Sequence, residues 1–142
     1  MERNNAFFGA HETWFLTIKE VFGEDAALKA MTTVMERNLK IAYDGMDPKP
    51  KKGDPYDFDR VVGGRDNSVG LDVKFPVISE SRIVYQFWTD PFPGLKNHVP
   101  AEKLDATYMK FKVSYLLGPE WTYRTTMHIW KSAFTEHVIE KK

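Results

Sequence analysis

Cysteine is absent from the 142 residues, which removes disulfides, thiolate zinc sites and a cysteine nucleophile from consideration. Charge of one sign is lacking too: 20 basic and 20 acidic residues cancel, so the chain has no bulk attraction to phosphate and no nucleic-acid partner is expected. No apolar run approaches the roughly 20 residues that cross a bilayer. The opening Met1-Glu2-Arg3-Asn4-Asn5 has none of the apolar core of a secretion signal. No membrane partner is expected, and cytoplasmic residence is the default. Phosphate-loop patterns and HExxH are missing as well, and Gly63-Gly64 alone makes no phosphate cradle.

What the chain has in excess is rings. Four Trp, six Tyr and ten Phe make 14% of the sequence, enough for a bulky core or for a ring-lined pocket. Hydrophobic residues at 42% and charged residues at 28% are ordinary globular usage. The length suits one domain over residues 1–142 with a single core.

Phe7, Phe8, His11, Trp14, Phe15, Ile18, Val21 and Phe22 recur at three- and four-residue spacing, which predicts an amphipathic helix from Asn5 to Phe22, stopped by Gly23. Asp25 is placed to cap a second helix with a stripe through Leu28, Met31, Met35, Leu39 and Ala42, closing near Gly45. Two helices so briefly linked should lie antiparallel. Residues 46–55, with three prolines and three lysines, read as an exposed loop. Pro55 then opens a brief helix that Gly63-Gly64 should stop.

Alternation through Leu71, Val73, Phe75 and Val77 and through Ile83, Tyr85 and Phe87 predicts a hairpin turning at Ser79-Glu80-Ser81. It runs out at Asp90-Pro91-Phe92-Pro93-Gly94, where two prolines forbid a ladder. Pro100 begins a further helix with Leu104, Tyr108, Phe111 and Tyr115 on one face, its lysines facing water. Tyr123 to Trp130 and Phe134 to Glu140 read as a second hairpin about Lys131-Ser132-Ala133. The expected fold is therefore α+β: an N-terminal helical hairpin and a further helix packed on a four-stranded antiparallel sheet.

Among groups able to do chemistry, His11 stands first because it falls within the apolar stripe of its helix, where a desolvated imidazole can serve as a neutral base beside a cavity. The plainer alternative is a core histidine bonded to backbone or tyrosine. His128 and His137 would face each other across the terminal ladder if the turn centred between residues 132 and 133. Two imidazoles fall short of the three or four ligands a metal needs, so no metal or other cofactor is expected. Asp90, ending an aromatic strand, is a candidate to orient a base. It is equally an ordinary turn-former before proline. Glu12 should point about 100° away from His11. Trp14, Tyr85, Trp88, Tyr108 and His137 are the candidate ligand-binding side chains, in a set of rings that could equally be core.

A strand ending in Trp88-Thr89-Asp90-Pro91-Phe92, a helix ending at Leu116-Leu117-Gly118, and a terminal hairpin Arg124-Thr125-Thr126-Met127-His128-Ile129-Trp130 followed by Phe134-Thr135-Glu136-His137 resemble the L-2-amino-thiazoline-4-carboxylic acid hydrolase family. The resemblance covers residues 77–140 and implies a helical N-terminal half beside a small antiparallel sheet, with hydrolysis of a small cyclic C–N bond. The family often carries cysteines in its later strands and a Gly-Asp turn in the last hairpin. Here there is no cysteine, and Lys131-Ser132 stands at the turn. Fold and activity are thus separable expectations.

Two functions from different classes follow. In the first, a hydrolase, His11 or His128 activates water, Tyr85 or Tyr108 holds the substrate and Asp90 orients the imidazole. In the second, a non-catalytic binding or sensor domain uses the same rings to enclose a small molecule. A homodimer joined through exposed rings is a further expectation.

Overall fold

A computed structural model describes residues 6–142. Helix α1 (Ala6–Phe22) and helix α2 (Glu24–Asp44) form the expected hairpin, linked by Gly23 alone. That residue holds φ +98°, a left-handed conformation that glycine adopts without strain. It is also the N-cap of α2, so Asp25 is not the cap but a first-turn acid beside Glu24, where the helix dipole favours both. The buried stripe of α2 is Ala27, Met31, Met35, Leu39 and Tyr43. In α1 only Phe8, His11 and Phe15 are buried. Val21 and Phe22, the last residues of α1, stand 63% and 75% exposed, so the stripe expected to run through them is packed on the core only as far as Ile18. Asn5 lies outside the described residues.

Loop 46–55 is tied down at its end, where the Gly53 N–H donates to the Leu116 carbonyl and the Lys51 N–H to the Asp57 carboxylate. The helix that follows does not stop at Gly63-Gly64. Helix α3 (Pro55–Phe58), opened by an Asp54 cap, widens into a π-helical turn over Asp59–Gly63 and continues as α4 (Gly64–Ser68). Both glycines keep right-handed helical angles. At Gly63 a side chain would meet the Phe75 ring at 3.3 Å, so the glycine serves close packing rather than termination. The added turn carries Arg65 and Asp66 toward the interior, Asp66 to full burial. π-Helical turns recur where a chain positions functional groups.

Strands β1 (Val73–Ile78), β2 (Arg82–Phe87), β3 (Trp121–Met127) and β4 (Thr135–Lys141) form one antiparallel sheet in the order β1-β2-β4-β3. The first turn is as expected, Ser79 N–H bonding the Arg82 carbonyl. Pro76 lies in the edge strand β1 beside an irregularity in register, where a missing N–H costs least. The inward face carries Ile83, Tyr85 and Phe87 opposite Ile139, His137 and Thr135. On the other face Val84 pairs with Val138, both buried, beside Glu136, which accepts from Gln86 and Thr126.

Helix α5 (Ala101–Leu116) packs on α2 and on β3, placing one layer of helix between the hairpin and the sheet. The buried apolar residues form one cluster. On α5, Lys103 and Lys110 do face water, but Lys112 is 3% exposed. It falls on the stripe of Leu104, Asp105, Tyr108, Met109, Val113 and Leu116 that faces the core.

The terminal hairpin turns differently from its expected symmetry. β3 ends at Met127 with an irregularity after Thr125, and His137 pairs with Thr125 rather than with His128. Residues 128–134 form a loop closed by the Lys131 and Ser132 N–H groups on the His128 carbonyl. The bulge and longer loop move His128 out of the ladder altogether.

Candidate functional site

Between α5, α4 and β2 lies a polar network sunk in rings. The Tyr85 hydroxyl donates to the Asp66 carboxylate and accepts from Lys112 Nζ at 2.8 Å. Lys112 Nζ also stands 3.3 and 3.4 Å from the two Asp66 oxygens. All three side chains are buried. The ammonium lies 5.1 to 5.3 Å from the ring centres of Tyr85, Tyr108 and Phe87, near enough for those rings to share its charge. Burial lowers the proton affinity of Lys112, opposed by Asp66. Burial, and then the Asp66 charge, push the Tyr85 phenol well up. Tyr43 is raised by the same two causes, and its buried hydroxyl has no partner.

Asp66 and Lys112 of this network border a partly enclosed cavity of about 40 Å3, lined also by Phe8, Leu39, Leu71, Phe87, Phe92 and Tyr108, with Asn38 and Arg65 as further polar neighbours. One water needs some 10–15 Å3 of such space, so the volume admits about three.

A second polar cluster lies at the other end of α5. Asp105 accepts from the Tyr108 hydroxyl at 3.0 Å and lies 3.3 Å from His128 Nε2. His128 Nδ1 accepts the Trp130 backbone N–H at 3.2 Å, which assigns the proton to Nε2 and the donor role to that nitrogen. Asp105 and His128 stand where an open cleft of about 630 Å3, edged by Lys96, Glu102, Thr126 and Lys131, meets the core. A smaller void of about 10 Å3 behind them reaches Asp90 and Tyr108, room for about one water. The second Asp105 oxygen has no partner.

The three histidines do not converge. His11 Nδ1 donates to the Phe7 carbonyl at 2.7 Å, its ring lies among Phe7, Trp14 and Phe92, and Nε2 has no partner. His137 Nδ1 meets Thr125 Oγ1 at 2.9 Å beneath Tyr85, Phe87, Tyr108 and Tyr123. Asp90 binds the Trp130 indole N–H at 2.9 Å and the Phe92 N–H, so the carboxylate that orients His128 is Asp105. Burial raises the Asp90 carboxyl. Tyr85, Tyr108 and His137 come together beside Lys112, but only Tyr108 borders the cavity, while Tyr85 and His137 are fully buried behind it. Trp14 remains beside His11. Trp88 lies outside, stacked on Phe134 at 4.4 Å under Lys74. Glu12 holds the Gly94 N–H at 2.7 Å and docks α1 on the turn at Pro93–Leu95.

Sequence reading missed Asp66, Lys112 and Asp105. For the last two a signal existed: both stand at helical spacing with Tyr108 on an apolar stripe, where a charge must be partnered to be buried. Asp66 gave none, because it depends on the helix continuing through Gly63-Gly64. No group of three or more metal-binding side chains occurs among the described residues, and none of their helices is long and apolar enough to cross a membrane.

No protein-family model matches the chain, and no curated protein matches it either.

His137 supplies a test of the buried face. Burial holds its imidazole down at about 4, against 6.5 for a free ring. Between those values the unfolded chain takes up a proton that the folded chain refuses. Stability from this residue is complete above pH 6.5 and falls as the pH drops toward 4, by about 3 kcal/mol in total. An NMR titration should place its ring protons at a midpoint near 4. A midpoint near 6.5, with flat stability between the two values, would contradict the burial described.

Proposed function

We propose that this protein binds a small, largely apolar molecule in the cavity between the helical hairpin, α5 and β2, without converting it. The observation that carries the reading is the juxtaposition of apolar walls, Phe8, Phe87 and Phe92, with a few fixed polar groups, Asp66 and Lys112, around one partly enclosed space. Apolar walls with a small number of placed polar groups are the usual makeup of a ligand site; at about 40 Å3 this one takes only part of a small molecule inside, the rest lying in its open mouth. The separation of His11, His128 and His137 speaks for binding over catalysis. Val21 and Phe22 lie at the far end of α2 from Ile41, so exposed apolar surface is divided rather than gathered into a dimer face.

The test uses 3-methylbutanamide as a neutral probe. It should shift the methyl resonances of Leu39 and Leu71. Val69→Trp, at the half-buried rim of the same cavity, should weaken binding by about tenfold or more with circular dichroism unchanged. Absence of shifts in the parent protein, or equal binding by the variant, would sink the reading.

Hydrolysis of a small cyclic C–N compound, which the family resemblance implies, is the second reading, favoured by the Asp105–His128 hydrogen bond beside the open cleft. An imidazole oriented by a carboxylate is a common general base. Here it must release the Trp130 N–H from Nδ1 before accepting a proton there. If this reading holds, His128→Gln abolishes turnover of cyclic amidine or lactam substrates while the far-ultraviolet spectrum stays unchanged. Unaltered turnover in the variant removes His128 from the mechanism.

A further inference from the structure

The described walls of the Lys112 cavity are unbalanced in charge. Asp66 is its one lining carboxylate among the described residues, against two cations, Arg65 and Lys112. Arg65 is near enough to Lys112 for its charge to oppose the ammonium. The guanidinium lies 5.6 Å from the Phe7 ring centre, and no carboxylate stands within ion-pair distance of it among the described residues. The three N–H groups of Lys112 are matched by three oxygens, the Tyr85 hydroxyl and both oxygens of Asp66. Among the described residues of the lining, positive charge therefore exceeds negative by one, and the excess is the guanidinium of Arg65.

An apolar space whose described lining holds one cation more than it holds carboxylates suits a ligand that brings a single negative charge and an apolar body. We propose, on the footing that the cavity is the binding site, that its ligand class is the small apolar monocarboxylate, with the carboxylate toward Arg65 and Lys112 and the hydrocarbon part among Phe8, Phe87 and Phe92. A guanidinium matches a carboxylate with two parallel N–H donors. A zwitterion fits less well, because its ammonium would meet two cations and a carboxylate already shared by Tyr85 and Lys112. A dianion overshoots the single excess charge.

Three probes of nearly one shape separate these possibilities by calorimetry at neutral pH: 3-methylbutanoate, its neutral analogue 3-methylbutanamide, and valine, which is the same acid with an α-amino group. The acid should bind about tenfold more tightly than the amide and than valine. Arg65→Gln, a change on a half-buried side chain, should bring acid and amide within about twofold of each other. The amide binding as tightly as the acid would overturn the ligand class and leave the cavity reading standing, as would valine binding equally well. A preference for the acid that survives Arg65→Gln would also overturn the assignment. Binding of none of the three would overturn the cavity reading and the ligand class together. The comparison within the parent protein holds whether or not the variant folds.

Discussion

The interior is organised around a salt bridge that the fold has to enclose completely. Lys112 and Asp66 come from helices 46 residues apart, and Tyr85 comes from the sheet between them in sequence. Charges are costly to remove from water unless paired and further hydrogen-bonded. The Tyr85 hydroxyl answers that cost by donating to one partner and accepting from the other. Three surrounding rings take up part of the ammonium's field. This arrangement fixes the relative position of α4, α5 and β2, and so fixes the cavity that Asp66 and Lys112 line.

The cavity follows from the pairing. A long cationic side chain and a short acidic one meeting under a tyrosine leave a space that Phe8, Phe87 and Phe92 border but do not fill. The second polar cluster, Asp105 with Tyr108 and His128, joins the first through Tyr108, whose ring borders Lys112 and whose hydroxyl binds Asp105. Tyr108 thereby connects the enclosed cavity to the edge of the open cleft. His137 lies under the same rings, its low proton affinity a consequence of that dry setting.

Helical periodicity was legible in the middle of α2, where Met31, Met35 and Leu39 are buried as their spacing predicts, although at its ends burial falls on Ala27 and Tyr43 rather than on Leu28 and Ala42. The turn at Ser79-Glu80-Ser81 follows from spacing too, as do the inward residues of β2, but Val84 is buried on the opposite face. The site was legible only in part. Tyr85, Tyr108 and His137 could be picked out as ring-bearing polar groups, yet their partners could not. Asp66 depends on a helix that passes through two glycines, and glycine in sequence signals a stop more readily than a close approach to Phe75. Lys112 was assigned to water because lysine is rarely buried, although its place on the apolar stripe of α5 argued otherwise. His128 was set across from His137 by a symmetric turn, and a strand bulge defeats that arithmetic.

The claim on which the rest depends is that Lys112 and Asp66 are buried together and need each other. Urea unfolding of Lys112→Met, of Asp66→Asn and of the double variant tests it most directly. Lys112→Met alone leaves a buried carboxylate unpaired and should cost about 3–5 kcal/mol. The double variant removes both charges and should be more stable than Lys112→Met. Additive losses, with the double variant the least stable of the three, would contradict a mutually dependent buried pair.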